Sequence, residues 1–224
     1  MNIIINRDNN NRCILTNKQD FRNLCEYNLE IIKKIVIPEL SQNNKFETVY
    51  IEFRKFNHEE FLIRNTIIKL PDWSHTVVCG NDNFKHLKKI VENISKDIKI
   101  IKLDINEFTN WKYSELLMQE SFWSMFTGEK ILIYQEDSFL FHNKIEPFLD
   151  YDYVGAPWPM HQDEQESQIQ YGVGNGGFSL RSKSKMIECI QKINWKKDLT
   201  FGIKTLNYMK IVHNDSIPED VFFS

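Results

Sequence analysis

Apolar and polar residues follow one another along this chain in blocks that switch between two periods. From Glu47 onward, short apolar runs are followed by longer segments in which apolar residues recur every three or four positions. The first pattern is typical of strands and the second of amphipathic helices. Their regular succession predicts an α/β fold with a mostly parallel central sheet and helices on both faces, because parallel strands need crossover helices.

The pattern places the individual elements of this repeating unit. The predicted strands are Thr48–Arg54, His75–Cys79, Lys99–Leu103 and Ile131–Gln135. The helices that alternate with them are predicted at Asn57–Leu70, Asp82–Ser95 and Tyr113–Phe126. Asn57 is expected to cap the first of these helices, with Glu60 at the capping-box spacing.

The residues before Glu47 predict a lead-in to this unit. Thr16 is expected to cap a helix from Asn17 to Leu40, and the polar stretch Ser41–Lys45 then forms a turn or linker. We therefore assign residues 1–46 to a lead-in helix and linker, and residues 47–224 to the main domain. The helix is interpreted as packing material.

After Phe141 the alternation of strand and helix is lost. A helical turn is predicted at Ile145–Leu149, a brief extended segment at Tyr153–Gly155, and helices at Ser182–Ile193 and Leu199–Lys210. The polar stretch His161–Gln170 has no apolar period and predicts a mobile loop of the kind that closes over substrates. The last residues suit the start of a helix, so the domain is expected to lack its last element or to continue past this sequence.

Composition narrows the classes of function. The 224 residues are 42% hydrophobic and carry a net charge of -3, which predicts a sizeable core and argues against nucleic acid as a partner. The four cysteines are Cys13, Cys25, Cys79 and Cys189. Because they form no CxxC pair, we expect them to be reduced thiols. No signal peptide and no apolar run of about 20 residues is present, so we expect a soluble, cytoplasmic protein without a membrane span.

The candidate chemistry begins where the fourth predicted strand ends. Glu136 and Asp137 follow this apolar run directly. Two neighbouring carboxylates at a strand end repel each other when they are desolvated, and a divalent cation commonly neutralises such a pair. Ligands of open α/β sheets also bind at the carboxyl ends of strands. These residues alone are equally compatible with a solvated turn carrying two surface acids.

A second candidate is the glycine-rich segment that precedes the helix at Ser182. Its glycines match G-x-G-x-x-G, but a polar loop precedes them and strand-like residues follow, which excludes a dinucleotide-binding fingerprint. We interpret the glycines as allowing a close backbone approach to a ligand, with Asn175 presenting an amide. The alternative is a tight bend without a ligand. The sequence has no HExxH zinc motif, G-x-S-x-G elbow or Walker A motif.

Several segments, taken in order, resemble one family. They are ILIYQEDSFLF at 131–141, FLDYDYVGAPWP at 148–159, GVGNGGFSLRS at 172–182 and PEDVFFS at 218–224. This succession is similar to a family of GT-A-type glycosyltransferases long known only as a domain of unknown function. The resemblance runs from about Thr48 to Ser224 and implies a GT-A-like, Rossmann-like fold.

The resemblance also implies roles for particular residues. Asp137 would hold Mn²⁺ or Mg²⁺ at the position of the DxD motif, although Gln135 replaces the first acid of that motif. Glu219 and Asp220 resemble the acidic pair that supplies the catalytic base of inverting members, and the shorter side chain of Asp220 favours it. The residues implied to bind the nucleotide sugar are Arg54, Arg64, Gly80, Gln135, Glu136, Asn175, Gly176 and Gly177. Arg64 can equally form a structural salt bridge.

The resulting prediction is a metal-dependent, inverting glycosyltransferase. It would move a sugar from a nucleotide-diphosphate donor to a hydroxyl of a glycan or another acceptor. One alternative is an inactive binding module of the same fold for a nucleotide or glycan. Another is a nucleotidyltransferase, but no glycine-rich phosphate loop follows Arg54.

Overall fold

The computed structural model describes most of the chain outside its first residues. The described residues are 17–40, 42–106, 109–157, 174–199, 207, 209–211, 214 and 216–223. The predicted loop His161–Gln170 lies outside them, as does most of the predicted helix Leu199–Lys210. None of the helices in the described part of the chain has the length and apolar character needed to span a bilayer.

Six strands of the described residues form one sheet. They are β1 (Phe46–Ile51), β2 (Ser74–Cys79), β3 (Lys99–Lys102), β4 (Lys130–Tyr134), β5 (Tyr153–Ala156) and β6 (Asn175–Ser182). Their order is β3-β2-β1-β4-β6-β5. β2 pairs with β3 in parallel, with Thr76 opposite Lys99, whereas β6 runs antiparallel to both β4 and β5. The sheet is thus mixed but mostly parallel, which confirms the predicted α/β fold.

The helices alternate with the strands along the first half of the chain. They are α1 (Lys18–Ile32), α2 (Glu59–Lys69), α3 (Phe84–Ile94), α4 (Asn110–Leu117), α5 (Glu120–Trp123), α6 (Lys183–Lys192), α7 (Trp195–Asp198) and α8 (Glu219–Phe223). A short 3-10 turn covers Glu146–Phe148. Every residue of β2 is buried, as expected for a central parallel strand covered on both faces.

The chain divides into two compact units. The first takes its described residues from Met1–Gln42, Thr48–Asn106 and Tyr134–Lys144. Its core includes side chains of β1, α2 and β2, among them Val49, Phe61, Ile67 and Val78. The second takes its described residues from Asn43–Glu47, Glu107–Ile133 and Ile145–Ser224, and its core includes Leu117, Trp123, Leu180 and Met186.

The N-terminal helix is shorter than the predicted range, which ran to Leu40. The side chain of Asn17 caps it by accepting a hydrogen bond from the amide of Asp20 at 3.0 Å. It ends at Ile32, ahead of a β-branched stretch and Pro38, both of which disfavour the helical conformation. The predicted cap, Thr16, lies outside the described residues.

Three other boundaries differ from their predicted positions. β1 stops at Ile51 rather than Arg54, because the carboxylate of Glu52 accepts hydrogen bonds from the next two amides. The N-cap position of α2 is His58 and not the predicted Asn57. The single helix predicted from Tyr113 is broken into α4 and α5, and the indole of Trp123 donates at 2.6 Å to the carbonyl of Leu117 at the break.

Candidate active site

The two acids that follow β4 differ sharply in exposure. Glu136, in the first unit, is 1% exposed, whereas the side chain of Asp137 is 35% exposed. The alternative of two solvated surface acids therefore does not hold for Glu136. A buried carboxylate requires charge compensation, and in this molecule the compensation comes from helix α1.

Arg22 of α1 pairs with Glu136 through two parallel hydrogen bonds. Its Nε donates to Oε2 at 3.0 Å and its Nη2 to Oε1 at 2.8 Å, the bidentate geometry of a strong charged pair. The ring of His58 also lies at the same acid, with Nε2 2.7 Å from the Glu136 carbonyl oxygen. Burial alone would raise the pKa of Glu136, but the hydrogen bonds from His58 and Arg22 outweigh it and lower the pKa to about 2.

Lys18 lies one helical turn before Arg22 and compensates the second acid. Its Nζ donates to Oδ2 of Asp137 at 2.7 Å, and 67% of the lysine side chain is exposed. The two cations are four residues apart on α1, so they project from the same face of the helix toward two consecutive acids. From its sequence, helix α1 was expected only to pack against the domain. In the structure it also supplies the cations that pair with both acids.

A further ion pair lies at the carboxyl end of β1. Arg54 donates from Nε and Nη2 to the buried carboxylate of Glu52, each at 2.9 Å, and its Nη2 is 3.9 Å from Oε1 of Glu136. The guanidinium groups of Arg22 and Arg54 lie 4.6 and 5.0 Å from the ring centroid of Phe56. The first unit therefore gathers basic and acidic side chains at the ends of β1 and β4.

Gly80 belongs to the same neighbourhood because of Asn83. The amide of Gly80 donates to Oδ1 of Asn83 at 2.9 Å, and Nδ2 of Asn83 donates to the carbonyls of Glu52 and Arg54. A Cβ at position 80 would collide with the Ile105 carbonyl oxygen and lie 2.9 Å from the ring of Phe53. Glycine is thus required for this close approach of backbone segments.

Arg64 makes different contacts. Its Nε donates to Oε1 of Glu60 at 2.9 Å, one turn earlier on α2, and its Nη2 donates to the carbonyl of Asn93. These bonds tie α2 to the end of α3 and match the structural salt bridge considered as an alternative. A role of Arg64 in donor binding stays a prediction.

Gln135 lies in the turn that carries the acids. Its backbone amide donates a hydrogen bond to Ser138 Oγ at 3.3 Å.

Asp137 could contribute one carboxylate ligand to a hard divalent cation. Mg²⁺ sites are often built from one or two carboxylates completed by water and substrate phosphates. Asp137 offers one accessible carboxylate, and the ammonium of Lys18 already lies against it as a positive charge. Within the described ranges, no group of three or more His, Cys, Asp or Glu side chains is arranged to hold a metal. Other ligands would have to come from a bound diphosphate and water.

The second unit contains the other pair of predicted acids, on α8. Glu219 is 2% exposed, and its Oε1 accepts a hydrogen bond from Nη2 of Arg181 at 3.0 Å. Arg181 lies on β6 and is completely buried. Asp220 is only partly buried. Of the two acids, Asp220 is therefore the more exposed.

The surroundings of Arg181 are aromatic and mostly apolar. Its guanidinium carbon lies 4.8 Å from the ring centroid of Tyr153, 5.8 Å from that of Trp123 and 5.7 Å from that of Phe223. Its Nε donates to Ser179 Oγ at 2.9 Å, whereas Nη1 has no hydrogen-bond partner among the described residues. Oε2 of Glu219 is also unpaired among them. Each partner of this buried ion pair thus depends on the other for charge compensation.

Glu219 titrates far from its ordinary range. Burial raises its pKa, and the attraction of Arg181 offsets that effect only in part, so that the pKa is about 7 instead of 4.5. Glu219 therefore exchanges a proton near neutral pH, although its lack of exposure and its pairing with Arg181 tie it to the interior.

The glycine segment meets this pair at Gly176. A Cβ at this position would collide with Oε1 of Glu219 and lie 2.7 Å from Nη2 of Arg181. The Gly176 carbonyl also accepts from Ser179 Oγ at 2.9 Å. The side chain of Asn175 accepts a hydrogen bond from the amide of Gly177, so it is engaged in a local turn. Gly176 therefore approaches the ion pair, and the ligand-binding role of the glycine segment stays a prediction.

This close approach makes a test of Gly176 possible. Gly176→Ala is expected to lower the free energy of unfolding by about 1–3 kcal/mol, because the methyl group overlaps the carboxylate of Glu219. Urea denaturation monitored by fluorescence would measure the loss. Gly177→Ala, the same substitution at the next residue of this segment, is the matched control. Equal losses in both variants would contradict this assignment.

A pocket of about 400 Å³ lies beside α8 in the second unit. It is lined by Met118, Gln191, Asn194, Trp195 and Phe222, among others. An indole combined with side-chain amides can pack against the apolar face of a sugar and bind its hydroxyls. Phe222 lies two residues after Asp220, so this pocket and the predicted base share one short helix.

Some residues of these clusters were not predicted. Lys18, Arg22 and His58 at the strand ends, and Arg181 in β6, were all missed as site residues. The spacing of Lys18 and Arg22 on one helix face was a usable signal. Arg181 offered a weaker one, as the single charged residue of the strand segment NGGFSLRS.

A comparison with known protein families assigns the chain to one of them. Residues 97–224 match the model of a family described as "Protein of unknown function (DUF5672)". The chain belongs to this family. The matched range includes β4, the glycine segment and α8, and it begins after α1, so the cations Lys18 and Arg22 lie outside the DUF5672 match. The predicted resemblance to a domain family of unknown function is confirmed for residues 97–224, although it was expected from about Thr48, and the glycosyltransferase activity stays a prediction.

Similarity to characterised proteins is more distant. Over 98 residues the chain is 29% identical to the phosphatidylinositol transfer protein SFH5 of Candida albicans. The alignment covers 43% of this DUF5672 chain and 30% of that protein, so the chain spans less than a third of that curated relative.

Two solved structures are similar to this chain in the path of the backbone. One is 4-diphosphocytidyl-2C-methyl-D-erythritolsynthase from Anaerococcus prevotii, with 10% identity, a TM-score of 0.44 and coverage of 77% of this chain and 85% of that chain. The other is the glycosyltransferase GlyE of Streptococcus pneumoniae, with 13% identity, a TM-score of 0.38 and coverage of 81% and 42%. Both TM-scores lie below 0.5, so neither likeness bears on activity, and the α/β assignment rests on the strand order itself.

Proposed function

We propose that this DUF5672 protein is a glycosyltransferase of GT-A type that moves a sugar from a nucleotide-diphosphate donor to a hydroxyl acceptor. The observation that supports this most directly is Asp137. It is a part-exposed carboxylate three residues after the buried strand β4, and the ammonium of Lys18 lies against it. Open α/β sheets bind their ligands at such strand ends.

Asp137 would hold Mn²⁺ or Mg²⁺ in this proposal. The cation, when bound, would supply positive charge to the leaving diphosphate. Arg54, half exposed at the end of β1, would contribute a further positive charge toward the donor. Arg22 and His58 hold Glu136 in place and so orient the turn that carries Asp137.

Asp220 would act as the general base. The acceptor oxygen attacks the anomeric carbon while the bond from that carbon to the diphosphate breaks, and the acceptor proton passes to the Asp220 carboxylate. A single displacement of this kind inverts the anomeric centre. The pocket lined by Trp195 and Gln191 is the proposed place for a glycan acceptor, because it shares α8 with the base.

The donor half of this proposal is tested by the dependence of nucleotide binding on metal. UDP or GDP is expected to bind more tightly with Mn²⁺ than with a chelator, and Asp137→Asn should remove that gain, because the carboxylate that holds the cation is lost. Calorimetry measures both affinities. Asp82→Asn, at an exposed aspartate of the same unit, controls for the change in net charge. Equal affinity with metal and with chelator in the unaltered chain would contradict the metal role.

A binding module without turnover is the second candidate. It is favoured by the ion pairs of α1, which engage both acids after β4. The two candidates differ in one measurement: a transferase releases nucleoside diphosphate from a nucleotide sugar when acceptor is added, whereas a binding module retains the nucleotide sugar intact.

A further inference from the structure

We propose that Lys18 and Arg54, aided by the charge of Arg22, bind a diphosphate group directly and without a metal ion. This diphosphate site lies in the first unit, at the carboxyl ends of β1 and β4, where open α/β sheets bind their ligands. The inference deepens the proposed function, on which it rests for naming the diphosphate as that of the nucleotide-sugar donor. It assigns a binding role to α1, which lies outside the matched family range.

The acids of this cluster lie mostly beneath its surface. Glu52, which pairs with Arg54, and Glu136, which pairs with Arg22, are each only 1% exposed. Of the three acids in these ion pairs, Asp137 alone reaches solvent, with 35% of its side chain exposed. A ligand that arrives from solvent therefore meets one carboxylate and not three.

The cations are more exposed than most of the acids that they compensate. The exposed fraction of the side chain is 67% for Lys18, 50% for Arg54 and 23% for Arg22. Cations and acids are equal in number, but the accessible charges are mainly positive. Such a surface attracts anions, and arginine and lysine are common partners of phosphate oxygens.

Local contacts hold the two guanidinium groups close together in the absence of a ligand. The Nη2 atoms of Arg22 and Arg54 lie 2.8 and 3.9 Å from the same oxygen of Glu136. Both guanidinium groups also lie against the ring of Phe56. Two like charges held in one place repel each other, and a bound oxyanion would reduce that repulsion. The arrangement is therefore preorganised for a negatively charged ligand.

The body of α1 keeps Lys18 at this surface. Ile32 of α1 is completely buried, and the ring of Phe21 packs on Phe139 with 5.5 Å between the ring centroids. The ammonium group of Lys18 donates one hydrogen bond to Asp137, and an ammonium has three donors. Lys18 can therefore bond to a phosphate oxygen without leaving Asp137.

The positions of the cations favour a diphosphate over a single phosphate. Lys18 projects from α1 and Arg54 follows β1, so the two lie on separate elements. A diphosphate carries oxygens on two phosphorus atoms, and one phosphate can face the ammonium while the other faces the guanidinium. Asp137 is the exposed negative charge at this surface and would repel the ligand when no metal is present. Its removal should therefore strengthen the binding of diphosphate in a chelator.

The test uses sodium pyrophosphate and the full chain in the presence of a chelator, so it requires neither metal nor turnover. Calorimetry measures the affinity of the unaltered chain, Lys18→Gln, Lys34→Gln and Asp137→Asn. Lys34 is an exposed lysine just past the end of α1 and controls for the change in net charge. We expect Lys18→Gln to weaken binding about five- to tenfold and Asp137→Asn to strengthen it about two- to fivefold, because each removes one exposed charge beside the ligand. Lys34→Gln should bind like the unaltered chain.

Arg54 is tested without leaving its buried partner uncompensated. The double variant Glu52→Gln, Arg54→Gln removes both charges, and Glu52→Gln alone is its reference. The double variant should bind pyrophosphate about five- to tenfold more weakly than the reference, because the guanidinium charge is lost. Urea midpoints of the two variants check that both are folded.

Three results would each overturn the diphosphate site. They are an unaltered chain that does not bind pyrophosphate in the chelator, a Lys18→Gln variant that binds it as well as Lys34→Gln, and an Asp137→Asn variant that binds it no better than the unaltered chain. Equal affinity in Glu52→Gln and its double variant would remove Arg54 from the site and overturn the proposal in the same way. Absence of sugar transfer, with all these binding responses present, would instead overturn only the proposed function.

Discussion

Turnover is expected to fall about 10²- to 10⁴-fold when Asp220 is replaced by Asn, while nucleotide affinity stays nearly unchanged. Asparagine keeps the size of the side chain but cannot accept a proton from the acceptor hydroxyl. The proposed contacts of Asp137 and Arg54 with the donor do not involve Asp220, so nucleotide affinity should be insensitive to this change. The measurement combines steady-state release of nucleoside diphosphate with calorimetry of the nucleotide.

Glu219→Gln provides the contrast for this variant. Glu219 is buried and tied to Arg181, so its replacement should lower stability as well as turnover. Asp220→Asn should instead leave the urea midpoint close to that of the unaltered chain, because Asp220 is only partly buried. Near-normal turnover in Asp220→Asn, or loss of nucleotide binding in its place, would show that the base is assigned to the wrong residue.

The strands were the part of the fold most accessible to prediction from the sequence. β2 and β4 begin and end within a residue of their predicted positions, because each is a short apolar run bounded by polar residues or glycine. Several helix ends differ from their predicted positions, because they depend on local contacts that apolar periodicity does not show. The indole of Trp123 bonding to Leu117, for example, coincides with the break between α4 and α5, which apolar periodicity does not reveal.

Only the acidic residues of the candidate site could be predicted from the sequence. Glu136 and Asp137 follow an apolar strand, and Glu219 and Asp220 suit a helix start, so their positions were evident locally. Their partners were not, because Arg22 is separated from Glu136 by 114 residues and Arg181 from Glu219 by 38. Which acid is buried also depends on these distant cations. The difference between Glu136 and Asp137 therefore emerges only when α1 is docked.

Arg181→Leu is expected to lower the free energy of unfolding by about 3–5 kcal/mol at neutral pH. Leucine fills part of the aromatic surroundings, but it leaves the carboxylate of Glu219 buried without a cation. Urea denaturation at several pH values between 5 and 8.5 measures the loss. In the double variant Arg181→Met, Glu219→Leu the buried charge is gone, so most of the lost stability should return.

The stability lost in Arg181→Leu is expected to depend on pH in one direction. The pKa of Glu219 is about 7 in the folded chain and 4.5 ordinarily, so the folded state binds more protons between these values and stability falls as pH rises from 4.5 to 7. Without Arg181 the folded-state pKa rises further, and the fall continues above pH 7. The deficit of Arg181→Leu relative to the unaltered chain should therefore be smallest near pH 5 and grow toward pH 8.5. A deficit that is equal at all pH values would mean that Arg181 acts through packing and not through the charge of Glu219.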